Sequence, residues 1–320
     1  MKIITRTSHH RAQRASTPSL LRAVALIMWL LSATESQAKD APAETKEACV
    51  AQKVEQGVAE KIGAVECAIK QVFRSRVRRR AATEPVEMVV ASPPMQSDDT
   101  GTPGPGVWEV NLALNGDFAG SEHRIEGPLV DLNYGIGDAV QIKYEVPYVF
   151  QATTDDDGNT VRQRGVGDSL FGVKYRFYDN RDTGLALAIY PQVQFRTPGA
   201  PARVSANATT YILPLLVTCE FEHAALTGNL GVELTAGERR YFASAGVGTR
   251  LSDRLALLGE MVGKNLNASD EKQVLANIGL VRKLADNRSI SGSIGTDVYA
   301  GGDQARHRYI SIAFQQLFGK

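Results

Sequence analysis

The chain has 320 residues, and its 36 lysines and arginines nearly balance 35 aspartates and glutamates, which leaves a formal net charge of +1. Nucleic-acid binding is not expected, because it needs a basic surface and the chain has no basic excess. The mean hydropathy of −0.18 excludes a bundle of membrane-spanning helices, but it is compatible with a membrane-spanning barrel, in which only every second residue of a strand faces lipid.

The first 38 residues have the order of a secretory signal peptide. Residues 1–21 carry basic side chains and no acidic ones, residues 23–33 form an apolar run, and residues 36–38 offer a small-x-small cleavage site. The apolar run is much shorter than the ~20 residues that a membrane-spanning helix needs. We therefore expect export by the general secretory route and a mature protein that begins at Lys39.

Residues 39–82 are predicted to form a helical segment in the periplasm. Over residues 44–77, valines and isoleucines recur every three or four positions and form one apolar stripe along a helix. The stripe would pack on itself as a hairpin, on copies of itself by self-association, or against the mouth of the next domain as a plug. A loosely ordered spacer is also compatible with this composition.

Three cysteines, Cys49, Cys67 and Cys219, are too few for a disulfide framework and have no spacing typical of a metal site. A continuous helix would hold Cys49 and Cys67 about 27 Å apart, beyond the reach of a disulfide. A chain reversal at Gly57 or Gly63 would make a bond possible. We assign the cysteines no metal, no cofactor and no catalysis.

Residues 83–106 are rich in proline and glycine and are predicted to be a linker that marks a domain boundary. Beyond it, residues 107–320 are predicted to form a second domain of short amphipathic strands, in which apolar side chains alternate with polar or small ones. About twelve such strands are expected, at residues 107–114, 130–136, 140–148, 171–177, 185–196, 209–219, 226–234, 241–251, 255–262, 274–283, 290–298 and 309–318.

The last predicted strand shows the pattern of a membrane-exposed barrel strand. One face is apolar and ends on an aromatic residue close to the terminus, and the other face is small or polar, which suits lipid outside and water inside. The apolar face comprises Ile310, Ile312, Phe314 and Phe318, and the opposite face comprises Ser311, Ala313 and Gln315. Gln316 interrupts the apolar series.

The connections between the strands alternate in length. Short turns are expected at residues 137–138, 179–183, 220–223, 252–253 and 285–288, and longer loops at residues 115–127, 150–168, 197–208, 264–272 and 300–307, with 236–239 a short exception. Outer-membrane barrels have short periplasmic turns and longer extracellular loops. We therefore predict an all-β, antiparallel transmembrane β-barrel of about 12 strands, with both barrel ends in the periplasm and the long loops outside the cell.

Two segments, residues 132–148 and 165–177, resemble the phenol meta-pathway degradation family of transporter-like outer-membrane proteins. The matching positions are a G-x-G-D strand start and a K-Y-R-F strand end, at Gly165, Gly167, Asp168, Lys174, Tyr175, Arg176 and Phe177. The resemblance implies a barrel in outer-membrane lipid, inserted by the barrel-assembly machinery, with a role in passage of small, often aromatic or hydrophobic solutes. It supplies no catalytic residue.

The alternation places twelve polar side chains in the lumen: Glu109, Asn111, Asp131, Lys143, Glu145, Lys174, Arg176, Gln192, Gln194, Arg196, Arg250 and Glu260. Since both charge signs occur in similar number, paired charges are expected rather than a ring of one sign. About twelve strands enclose only a narrow bore. Narrow conduction, a lateral route for hydrophobic compounds and a plugged barrel all remain open.

Catalysis is not expected. An outer-membrane lipid hydrolase would need a serine and a histidine on the same face of one strand, as in the pattern H-x-S. None of His123, His223 and His307 has a serine at that spacing. The acidic loop at residues 155–159 lacks the glutamate that completes a calcium loop, and the basic run at residues 78–80 is expected to be solvated. A non-conducting barrel that anchors a partner-binding helix and a secreted soluble sandwich are also compatible with the sequence.

Overall fold

The computed structural model describes residue 91 and residues 93–319, except residues 156, 203, 207, 222, 223, 269 and 303. The predicted signal peptide, the helical segment with Cys49 and Cys67, the basic run and the start of the linker lie outside the described residues. No helix long and apolar enough to cross a bilayer occurs in the part of the chain that is described.

Fourteen β-strand segments make up one antiparallel sheet of the described residues. They are β1 (Trp108–Ala119), β2 (Glu122–Ile136), β3 (Val140–Thr154), β4 (Thr160–Val166), β5 (Ser169–Asn180), β6 (Leu185–Ile189), β7 (Gln192–Phe195), β8 (Thr210–Glu220), β9 (Ala224–Thr235), β10 (Glu238–Ser252), β11 (Leu255–Lys264), β12 (Gln273–Ala285), β13 (Arg288–Ala300) and β14 (His307–Phe318).

The sheet closes into a barrel of twelve strands. The first segment pairs with both β2 and the last segment β14, so that Trp108 lies opposite Tyr134 on one side and Phe318 on the other. Both β4 and β5 pair with β3, and both β6 and β7 pair with β5 and β8, so each of these two pairs of segments is one interrupted strand. The predicted fold class and the strand number are confirmed.

The alternation in the sequence separates a lipid face from a lumen face. Leu230 and Ile294 leave 61% and 62% of their surface exposed at the middle of their strands, as expected where lipid replaces a protein core. In the last strand, Ile310 and Ile312 face outward while Ser311 is buried. Gln316 of β14 breaks the apolar series beside the turn at residues 286–287, where its Nε2 donates to the carbonyl oxygen of Asn287 at 3.1 Å.

Exposed aromatic side chains form belts near the two ends of the barrel, the positions that aromatic girdles take at membrane interfaces. One belt, at the end that holds both barrel termini, comprises Trp108, Phe177 and Phe318, and the other comprises Phe150, Tyr211, Tyr241 and Tyr299. We call the first end the short-turn end, because its connections, at residues 137–139, 181–184, 221–223, 253–254 and 286–287, are all short.

Two predicted long loops are wrong. Instead of a loop over residues 115–127, β1 and β2 continue as a hairpin with a connection of only residues 120–121, and β3 and β4 extend likewise to a connection at residues 155–159. Beyond the bilayer, both faces of a strand meet water, so the alternation of apolar and polar residues ends although the hydrogen-bond ladder continues. The predicted loops at residues 196–209, 265–272 and 301–306 and the short connection at residues 236–237 are present.

Two neighbouring strands of the wall are each interrupted once, at different heights. One break lies at Gly167 and Asp168, between β4 and β5, and the other at Tyr190 and Pro191, between β6 and β7. Prolines cannot donate to the ladder, but the carbonyl oxygen of Pro191 accepts from Val173 N at 3.0 Å. The predicted strand at residues 185–196 is therefore two segments.

Candidate functional site

Residues 93–102, which we call the lumen segment, lie inside the barrel. This segment is part of the predicted linker, and nothing in its proline-rich and polar composition distinguishes it from an exposed spacer. Its main anchor is Glu260 of β11, whose two carboxylate oxygens accept from Gln96 N at 2.8 Å and Ser97 N at 2.9 Å. Asn277 Nδ2 also donates to Glu260, at 3.1 Å.

Further contacts fix the lumen segment to the same half of the wall. Asn229 forms a reciprocal pair with Asp98, accepting from its backbone N at 2.9 Å and donating to its carbonyl oxygen at 2.7 Å. Thr218 Oγ1 accepts from Thr100 N at 3.2 Å. Met95 packs against Leu258. The backbone of the segment is thus satisfied by side chains of β8, β9 and β11 rather than by water, as buried backbone groups require.

A lysine on β5, five strands away from β11 around the closed sheet, completes the attachment. Lys174 Nζ, on β5, donates to Asp98 Oδ1 at 2.8 Å and to the carbonyl oxygen of Gly101 at 3.1 Å, and lies 3.6 Å from Asp99 Oδ1. The same ammonium group lies 4.8 Å from the ring centroid of Tyr190, within the range of a cation–π contact. The lumen segment therefore bridges two sides of the barrel and obstructs the lumen.

Next to this attachment, side chains of β1, β2 and β3 form a buried polar network. Asp131, which is fully buried, accepts from Asn111 Nδ2 at 3.0 Å and lies 3.4 Å from Lys143 Nζ, which also pairs with Glu145 at 2.9 Å. Glu109 Oε1 accepts from Asn111 Nδ2 at 2.9 Å. Each lysine is shared between two carboxylates, which offsets much of the cost of burying these charges.

The chain leaves the lumen at the short-turn end. Gly106 N donates to the carbonyl oxygen of Gly135 at 2.9 Å, and Gly135 N donates to that of Val107 at 3.0 Å. Arg176 Nη2 donates to the carbonyl oxygen of Asp138 at 2.6 Å, beside this exit. The lumen segment is therefore joined to β1 by a tight turn that is itself fixed to the rim.

The twelve predicted lumen residues fall into three groups. Seven belong to the contacts around the lumen segment: Glu109, Asn111, Asp131, Lys143, Glu145, Lys174 and Glu260. Gln192 and Gln194 lie on β7, and Arg176 lies at the short-turn end. Arg196 follows β7 in a loop, where its Nε donates to the carbonyl oxygen of Ala200 at 3.1 Å, and Arg250 is exposed near the end of β10.

Sequence reasoning missed the residues that hold the lumen segment through amides and hydroxyls. Asn229 and Thr218 are uncharged side chains on predicted strands, where a single amide or hydroxyl gives no distinct signal of a partner, and Asp98 lies in the predicted linker. Tyr190 lies within a predicted strand.

The histidines do not form a triad in the described residues. His307 Nδ1 lies 2.7 Å from Asp117 Oδ1, and the His123 ring packs against Phe118 at 5.6 Å between centroids; neither histidine bonds to a serine. His223 lies outside the described residues. Among the residues that the structure covers, no group of three histidine, cysteine or acidic side chains has metal-binding geometry. Asp155 Oδ1 instead accepts from Asn159 N at 2.8 Å within its turn.

A protein-family model described as "Putative MetA-pathway of phenol degradation" matches residues 92–308 of the chain. The chain belongs to this family. The phenol-degradation family model thus spans the lumen segment and nearly the whole barrel, and the resemblance of two sequence segments to this family is confirmed. No curated protein sequence matches the chain.

Solved structures of outer-membrane barrels are similar to the chain. The COG4313 outer membrane channel from Pseudomonas putida F1 is similar with a TM-score of 0.57 at 11% sequence identity, over 70% of this chain and 100% of that chain. The KdgM porin in complex with disordered oligogalacturonate gives a TM-score of 0.47 at 8% identity, over 66% and 100%, and the CymD monoaromatic hydrocarbon channel gives 0.36 at 8% identity, over 68% and 90%. At such low identity, the first likeness establishes the barrel fold alone.

Proposed function

We propose that this protein is an outer-membrane channel that passes small solutes and that the lumen segment occludes it at rest. One observation carries the proposal: a closed barrel with a buried polar interior is obstructed by a segment that the wall holds through side-chain contacts. A barrel that serves only as an anchor has no need of such a lumen. The twelve predicted lumen residues would then set which solutes pass.

The solute is inferred to be small and aromatic or hydrophobic. Twelve strands enclose a bore narrower than that of the open sixteen-strand porins. The family description names phenol degradation, which supports aromatic compounds. Asn229 and Thr218 hold the lumen segment to the wall, so passage requires the segment to move.

The orientation follows from the connections. Bacterial outer-membrane barrels have short turns at the periplasmic end, so we place the short-turn end, the lumen segment and the predicted helical segment at residues 39–82 in the periplasm. The hairpins and loops at the other end would face the cell exterior. Outer-membrane lipid surrounds the exposed apolar face, and the barrel-assembly machinery would insert the chain.

Flux through refolded protein tests the proposal. Liposomes carrying residues 39–320 are compared with a form lacking residues 39–105, which removes the lumen segment, and with a matched form lacking residues 39–90, which keeps it. We expect the first deletion to raise the flux of small solutes and the second to leave it unchanged.

If every form folds as a heat-modifiable barrel and none passes a solute, the channel proposal fails. The protein would then be an anchor whose residues 44–77 bind partners or self-associate. Recovery of the exported protein in periplasmic extract without detergent would contradict the membrane location.

A lateral route is favoured by the interruptions in two neighbouring strands of the wall. Between β3 and β8, Pro147, Pro191 and Pro214 each lack a ladder donor, which weakens this part of the wall. We expect Pro191→Val to lower the uptake of hydrophobic solutes without lowering the flux of polar ones. Equal loss of both would exclude a separate lateral route.

A further inference from the structure

A cavity of about 420 Å³ lies beside the lumen segment on the path through the barrel. One side is charged and includes Asp98, Asp99, Glu109 and Lys174, and another is apolar and includes Leu258, Val281 and Ala313. The volume falls in the range of small-molecule sites, which combine a mostly apolar surface with a few placed polar groups. A solute that fits this cavity must therefore present both a polar group and an apolar body.

The charges at the centre of the cavity do not balance. Two lysines pair with four carboxylates: Lys143 with Asp131 and Glu145, and Lys174 with Asp98 and Asp99. Asp131 and Glu145 do not line the cavity, so three carboxylates, Asp98, Asp99 and Glu109, face two lysines there, which leaves an excess of one negative charge. At the short-turn rim of the same cavity, three arginines and three aspartates cancel: Arg176, Arg181, Arg288, Asp138, Asp179 and Asp286.

Glu109 is the carboxylate without a counter-charge. Its only hydrogen-bond donors in the described structure are the amides of Asn111 and Asn133, at 2.9 and 3.5 Å, and no lysine or arginine of the described residues lies within 4.0 Å of it. Removing a carboxylate from water without a cationic partner costs several kcal/mol. A cation in the cavity would offset that cost.

Tyr190 supplies an independent indication of a ligand. Its side chain is fully buried, lines the cavity, and its hydroxyl group has no hydrogen-bond partner. A buried polar group left unpaired costs about 1–3 kcal/mol. A ligand that donates a hydrogen bond to this hydroxyl oxygen would satisfy it, and an ammonium group is such a donor.

We propose that the cavity binds a small organic cation, with an ammonium group among the carboxylates and the Tyr190 hydroxyl and an apolar body against Leu258 and Val281. A bare metal ion does not suit the site, because the apolar wall offers no ligand and no three side chains of the described residues have metal-binding geometry. The inference rests on the proposed function and narrows its solutes to amines in their charged form.

Calorimetric titration of the full mature chain in detergent at pH 7 tests the site with three probes of one shape: benzylammonium, benzyl alcohol and benzoate. We expect benzylammonium to bind at least tenfold more tightly than the other two. Glu109→Gln should weaken benzylammonium binding at least tenfold, and Tyr190→Phe about threefold. Glu238→Gln, an exposed glutamate on β10 paired with Arg240, is the matched control and should change nothing.

Equal binding of the three probes, or tighter binding of benzoate, overturns the proposal, as does unchanged benzylammonium binding in both Glu109→Gln and Tyr190→Phe. Binding of Mg²⁺ without binding of benzylammonium also overturns it. If Glu109→Gln does not give a heat-modifiable barrel, Tyr190→Phe and Asp99→Asn decide. Benzylammonium binding by a protein that passes no solute supports the site and refutes the channel, whereas flux without preference for benzylammonium refutes the site and keeps the channel.

Discussion

Glu260→Ala should release the lumen segment without opening the barrel wall. Glu260 is 5% exposed, and its side chain points into the lumen from the middle of β11, while the strand backbone that pairs with β10 and β12 is unchanged by the substitution. The alanine removes the acceptors of Gln96 N and Ser97 N. The strands should therefore stay paired while the segment loses its strongest attachment.

The size of the effect follows from the two bonds. Hydrogen bonds to a charged group contribute about 1.5–3 kcal/mol each. The free energy that holds the segment in the lumen should therefore fall by roughly 3–6 kcal/mol. Lumen water can reach the freed amides, which favours the lower end of that range. At 1.4 kcal/mol for each factor of ten, the population of released segment should rise about 100-fold.

Hydrogen exchange measured on peptides covering residues 93–102 reports this population, because protected amides exchange through local opening. We expect the Gln96 and Ser97 amides to exchange about 100-fold faster in Glu260→Ala and less so in Glu260→Gln, which keeps one acceptor oxygen. Glu238→Ala on β10 is the control. Unchanged exchange in Glu260→Ala, with the barrel folded, would refute the role of Glu260 as the anchor.

Three further predictions concern the wall and the exit of the chain. Lys143→Met leaves the buried carboxylate of Asp131 and the half-buried carboxylate of Glu145 without their cation, and should lower the free energy of unfolding by about 3–5 kcal/mol, measured by chemical denaturation in lipid. Ile294→Arg places a charge on the exposed apolar face and should cost about 2–4 kcal/mol in the same assay. Gly135→Val should displace the turn at residues 103–106, since any Cβ at Gly135 would overlap the backbone of Gly104. The amide hydrogens of the lumen segment should then exchange faster while the barrel stays folded.

Matched controls separate these effects from general damage. Val281→Met changes another residue that lines the cavity without removing a charge, and Glu122→Arg adds the same arginine at a hairpin tip in water. Gly259→Ala adds a Cβ where the nearest atoms are 3.9 Å away. If a control lowers stability as much as its partner variant, the specific explanation for that variant is wrong.

The barrel was predictable because lipid and water impose a contrast on successive residues of every strand. Ile310, Ser311 and Ile312 show that contrast directly, and their exposures follow it. The contrast disappears where both faces meet water, so the ends of β1 and β2 were underestimated by several residues. Strands that pair beyond the membrane show no alternation of apolar and polar residues in the sequence.

The lumen segment was not predictable by the same reasoning. Its partners are remote in the sequence, since Gln96 and Glu260 are 164 residues apart, and its composition is that of a linker. Its aspartates also change the charge count, because Asp98 and Asp99 enter the lumen while Arg196 and Arg250 lie at strand ends or beyond. The strands alone predict similar numbers of positive and negative side chains in the lumen. With the aspartates of the lumen segment included, negative charge is in excess at the centre of the lumen.

The short connection between the lumen segment and β1 determines how the channel closes again. Only residues 103–107 separate the segment from the barrel wall, and a group tethered by so short a chain has an effective concentration of the order of millimolar or higher at its own binding site. A displaced segment therefore competes continuously with any solute in the lumen, and no second molecule is needed to reseal it. The lumen segment, which stays attached to the barrel, and the solute, which does not, compete for the same space. The segment therefore rebinds in the lumen after each solute has passed.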